Sequence, residues 1–159
     1  MKAAVKPAKT KSADPEAQLQ SFIDKFAPDN QALIRSIRAA LRKRFPGANE
    51  LVYDNYNFLV IGYSPTERPT DSIVSMAANS HGVGLAFPYC GTRLPDPHKI
   101  LQGSGTSNRF VRLESVKTLA RPEVGDLIDA AIAICKPLPE KGRGKVIIRS
   151  VSAKQRPRR

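Results

Sequence analysis

The side chains whose types suit chemistry crowd into Gly91–Ser115, GTRLPDPHKILQGSGTSNRFVRLES. Ser104 stands between Gly103 and Gly105, flanked along the chain by Arg93, His98 and Arg109. A serine nucleophile needs a base within hydrogen-bond reach, and none neighbours Ser104 in sequence. Gly103-Ser104-Gly105 with Arg109 has two readings. In one, backbone N–H groups form an anion-binding nest and the guanidinium adds a charge-assisted bond. In the other, the glycines serve a tight loop and Arg109 pairs with Glu114 or Asp96, which asks less of the chain. A strand meander can bring His81, Cys90 and His98 together, but they lack metal-ligand spacing. Cys90 and Cys135 stand singly, in no CxxC pair, which predicts reduced, mostly buried thiols and argues against a zinc knuckle or a disulfide framework.

Charge narrows the classes of partner. The net charge is +12 over 159 residues. Residues 1–13 carry four lysines and no acid, residues 136–159 carry nine Lys or Arg against Glu140, and residues 14–135 balance thirteen bases with thirteen acids. A neutral body with basic ends predicts association through the ends, whereas a nucleic-acid domain places a basic stripe on a folded face. Lys154, Arg156, Arg158 and Arg159 are therefore the candidate phosphate contacts, in a basic tail over 152–159. Residues 1–13, rich in Ala, Lys and Pro, are expected to be a disordered tail. No long apolar run is present, so a cytoplasmic protein without membrane association is expected.

The elements that must position these residues follow from periodicity. Asp14 before Pro15 predicts a capped helix start, and Leu19, Phe22, Ile23 and Phe26 form its apolar stripe. Ala27-Pro28 breaks the chain, Asp29 or Asn30 caps a second helix, and Leu33, Ile34, Ile37 and Leu41 form its stripe as far as Phe45-Pro46-Gly47. Arg35, Arg38 and Arg42 flank that stripe, as a solvated face matched to the helix dipole. From Ala48 the period becomes two. Strands are expected over Glu50–Asp54, Asn57–Tyr63, Asp71–Asn79, Val83–Phe87 and Asn108–Leu113, with a short sixth over Lys145–Val151. Tyr53, Tyr56 and Tyr63 are expected to pack across strands. His98–Gln102 is expected to make one helical turn, and Pro122 to open a last helix that ends at Lys136-Pro137. The fold class is α+β: two layers, a mostly antiparallel sheet of five to six strands packed by two N-terminal helices and one C-terminal helix, in one domain over 14–151.

With these elements in order, GTRLPDPHKILQGSGTSNRFVRLES, ELVYDNYNFLVIGYSP and IIRSVSAKQRPRR resemble the YdhG-like family, a bacterial family of uncharacterised function, over roughly residues 15–155. The resemblance implies a frataxin-like two-layer fold and, for one branch, an intracellular iron chaperone. Such a carrier needs closely spaced carboxylates on the first helix and the adjacent strand ends, since hard oxygen ligands suit loosely held iron. Asp14, Glu16, Asp24 and Asp29, with Glu50 and Asp54, are the positions that answer to it; Glu67 and Asp71 are further acids at strand ends. The expected role is a non-enzymatic binding or accessory domain for a small ligand, metal ion or protein, with iron as the cofactor implied. The alternative is weak nucleic-acid association through the basic tails.

Overall fold

The computed structural model describes residues 14–139 and 144–159. The expected disordered segment 1–13 lies outside them. Helices α1 (Pro15–Ile23) and α2 (Pro28–Arg44) come first. Strands β1 (Asn49–Asp54), β2 (Leu59–Ser64), β3 (Val74–Asn79), β4 (Gly82–Phe87) and β5 (Arg109–Leu113) follow. Helices α3 (Val116–Leu119) and α4 (Pro122–Ile134) then lead to β6 (Val146–Val151). The sheet order is β5-β4-β3-β2-β1-β6.

The class is α+β, as expected, but the sheet is mixed. β1 to β5 pair as an antiparallel meander, while β6 lies parallel to β1, with Val52 opposite Ile148. A parallel partner needs a long crossover, and the path from β5 through α3 and α4 supplies it. Strand alternation decides which side chains enter the core. Val52, Leu59, Ile61, Val74, Met76, Val83, Leu85 and Val111 join Leu19, Ile23, Ile34, Ile37, Leu41, Leu127 and Ile128 in one buried cluster. Residues of opposite parity, such as Val60, Ala77, Gly84, Ala86 and Phe110, lie on the other face and stay half-exposed.

Several local expectations change. Helix α2 begins at Pro28, with Ala27 at its N-cap, because proline's fixed φ and missing N–H suit the first helical position. Asp29 therefore sits in the first turn and caps nothing. Asp14 is the N-cap residue of α1, but its side chain makes no capping bond. No helical turn forms at His98–Gln102. The Asp96 carboxylate accepts the N–H groups of Ile100 and Leu101 at 3.0 Å each, and Lys99 adopts φ 54°, which ends any right-handed run. Gln102 instead pairs with Phe110 through two backbone bonds of 2.8 and 3.0 Å, extending the sheet by one bridge beyond β5. Among the described residues no helix is long and apolar enough to cross a membrane.

Candidate functional site

The loop from Pro88 to Asn108 is held by its own backbone. A side chain on Gly91 would put its Cβ 2.5 Å from the Arg109 nitrogen, so only glycine allows the loop to lie this close to β5. Ser107 Oγ donates to the Pro88 carbonyl at 2.8 Å and ties the loop's two ends. Arg109 donates from Nη1 to the carbonyls of Gly105 (2.6 Å) and Asn108 (2.7 Å). The guanidinium thus satisfies the loop's own acceptors. It does not complete a nest with Gly103, Ser104 and Gly105, and it pairs with neither Asp96 nor Glu114. Gly103 takes φ 119° and lies against the Phe110 ring. Arg93, His98 and Ser104 are exposed, and no described hydrogen bond links them. Cys90 is buried, while His81 is exposed in the β3–β4 turn, so that trio is not assembled. Cys90 lies instead beside Cys135; burial and this neighbouring thiol push the Cys90 thiol up to about 12.

Of the acids expected as iron ligands, Glu16, Asp24, Glu50 and Asp54 are paired with cations. Arg38, 6% exposed, donates from Nε and Nη2 to the Glu50 carboxylate at 2.9 and 2.8 Å. The same guanidinium holds Glu16 from Nη1 and Nη2 at 2.9 and 2.8 Å. Tyr63 is fully buried and donates its hydroxyl to Glu50 at 2.8 Å; burial and the Glu50 charge raise its pKa well above the usual phenol value. A polar cavity of about 240 Å³, bordered by Arg42, Glu50 and Tyr63, adjoins this cluster. Asp54, at the far end of β1, is fully buried between Lys25 (2.6 Å) and Arg158 (2.9 Å). Burial would raise the Asp54 pKa, but the bonds from Lys25 and Arg158 outweigh it and the net direction is down. Asp24 pairs with Arg35 at 2.8 Å, and Asp14 and Asp29 are exposed. Among the described residues no three His, Cys, Asp or Glu side chains converge on a metal-sized site.

The expected basic tail is docked against the body. Ser152 N–H donates to the Asp54 carbonyl, and Arg156 N–H to that of Tyr56, both at 2.9 Å. Arg158 is 4% exposed and also donates to the Asn55 carbonyl at 2.7 Å, so it is unavailable to a phosphate. Arg159 reaches the Lys25 carbonyl at 3.2 Å, and Arg156 lies over the Tyr56 ring. Lys154 alone of the four has no such engagement among the described contacts. Arg38 and Arg158 both read as solvated from sequence. Arg38 is betrayed only by its place, four residues after Ile34 and three before Leu41, on the apolar stripe.

A concavity of about 490 Å³ occupies the sheet face away from the helices. Its floor is crossed by two rows of residues, short at Ser75, Ala77, Gly84 and Ala86. Val60, Ala77, Gly84 and Arg112 lie opposite one another across β2, β3, β4 and β5, and beside them run Ser75, Ala86 and Phe110 across β3, β4 and β5. Four strands at about 4.8 Å spacing make this floor about 14 Å wide. Phe58, 40% exposed, and Phe110 rise at opposite flanks. Pro88, Gln102 and Asn108 border one rim, which is how the Gly91–Arg109 loop takes part. Sequence alternation places Ala77, Gly84 and Ala86 on one face, yet only the register stacks them into a shared hollow.

No family model, curated protein or solved structure matches the chain. The YdhG-like resemblance rests on the sequence motifs alone.

Proposed function

We propose that this protein is a non-catalytic binding domain, built on a YdhG-like two-layer plan, that holds a small ligand with a flat apolar body on the open face of its sheet. The observation that carries this reading is the floor of Ser75, Ala77, Gly84 and Ala86 between the Phe58 and Phe110 flanks. Sheets facing water usually carry larger polar side chains there, whereas small ones leave room for a body to lie against backbone and rings. The volume falls within that of small-molecule sites, which are mostly apolar with few polar groups. An iron-carrier role receives less support, because Glu16, Glu50 and Asp54 already spend their oxygens on Arg38, Tyr63, Lys25 and Arg158.

The test is fluorescence titration with the neutral probe N-phenylnaphthylamine against the wild type and Gly84→Val. A Cβ at Gly84 meets nothing closer than 3.6 Å, an ordinary contact, so a side chain can start from the floor there. Valine in a strand interior should leave stability equal or raise it by about 0.5–1 kcal/mol. Saturable binding to the wild type that weakens about tenfold or more in a fully folded Gly84→Val variant is expected, as for a contact worth at least 1.4 kcal/mol. Absence of saturable binding, or equal binding by both proteins, overturns the proposal.

A further inference from the structure

We infer that the ligand carries an anionic group, a carboxylate or sulfonate attached to the flat apolar body, and that Arg112 selects it; this rests on the open-face reading above. Arg112 is the outward residue of β5 that completes the row Val60–Ala77–Gly84, so its stem leaves the same floor. Its guanidinium turns toward the β3–β4 hairpin, where a Cβ on Gly82 would meet Nη2 at 2.7 Å. Nη2 donates to the His81 carbonyl at 2.5 Å, and this bond anchors the head at the end of the hollow.

Three observations give the site its sign. Among the described residues no Asp or Glu lines the hollow, and the ionisable side chains that do are Arg112 and His81. Among the described residues Arg112 has no carboxylate partner, unlike Arg35, Arg38, Arg42, Arg44 and Arg158, which all meet acids. The remaining donors of a planar guanidinium suit the two oxygens of a carboxylate or sulfonate. The opposite rim offers the neutral amides of Gln102 and Asn108, so charge is recognised at one end only. A ligand aligned this way would lay its rings over Ala77, Gly84 and Ala86 and direct its anion at Arg112.

The experiment compares anilinonaphthalene sulfonate with N-phenylnaphthylamine, which share a ring system and differ by the sulfonate. At low salt the sulfonate should bind the wild type about five- to tenfold tighter than the neutral probe. Arg112→Gln should bring the ratio of sulfonate to neutral-probe affinity down to about one, and Arg112→Lys should restore part of it. Retained neutral-probe binding shows that the variant is folded. Equal affinities of the wild type for the two probes, an undiminished preference in Arg112→Gln, or a parallel loss of both probes in that variant overturns the inference while leaving the open-face site standing. Failure of the wild type to bind either probe removes the site itself.

Discussion

Arg38 holds two carboxylates from a position almost closed to solvent, and its protonated form is favoured because the bonds to Glu50 and Glu16 outweigh the cost of burial. Replacing it with methionine strands Glu50 in the core with only Tyr63 and the more distant Arg42 for company. The expected loss is about 3–5 kcal/mol in urea unfolding, the scale for removing one partner of a buried pair. A further Glu50→Leu change should recover much of it, short of about 1–3 kcal/mol for the orphaned Tyr63 hydroxyl. A loss below about 1 kcal/mol for Arg38→Met would show that the cluster is looser than its geometry. The same pairing sets an acid response. Glu16 is lowered from 4.5 to about 2, chiefly by the Arg38 hydrogen bond against opposing burial. A depressed carboxylate contributes stability that is complete above its unfolded value and is lost as the pH falls toward the folded one. Stability should therefore decline between about pH 4.5 and 2, and Glu16→Gln should flatten that decline in urea midpoints measured across the window.

Among the elements, the C-terminal strap departs furthest from the reading of its composition. A run such as SAKQRPRR looks solvated, yet the backbone bonds of Ser152 and Arg156 seat it across the β1–β2 turn. Arg158 then enters beside Asp54 and the Phe26 ring. Deleting residues 152–159 removes one of the two cations that neutralise a buried carboxylate. The expected cost is about 3 kcal/mol, a fall in Tm on the order of 10 °C by calorimetry. An unchanged Tm would mean that Lys25 alone suffices. The elements themselves were largely legible. Prolines at 15 and 122 mark helix starts, and the alternation of Val83, Leu85 and Phe87 marks a strand and its buried face. Two expectations change for separate local reasons: Pro28 opens α2 because its fixed φ suits the first helical position, and His98–Gln102 forms no helical turn because the Asp96 carboxylate captures the N–H groups of Ile100 and Leu101. At Asp96 this side-chain capture of backbone N–H groups outweighs average propensity.

For the whole molecule, the meander puts all five of its strands side by side, and β6 closes the sheet along β1. That order decides the fate of the two sequence features that promised most. The Gly91–Arg109 loop becomes a wall, because Gly91 and Ser107 press it against β5 and the end of β4. The carboxylates become structural, because Glu50 and Asp54 share the parity of Val52 and so point into the helical core, where they require Arg38, Lys25 and Arg158. Of the four candidate tail cations only Arg158 is buried, while Lys154, Arg156 and Arg159 stay exposed.

Period and punctuation in the chain were enough to define α+β class, the antiparallel run from β1 to β5 and most of the apolar core, because alternation and helical spacing are local properties. They were also enough to show that residues 14–135 are neutral overall. Which charges are buried, which pair, and which surface is hollow depended on tertiary structure. Ion pairs such as Arg158–Asp54 join residues far apart in the chain. The floor of Ala77, Gly84, Ala86 and Arg112 exists only once cross-strand register sets small residues side by side, and register is a relation between strands that no single strand carries.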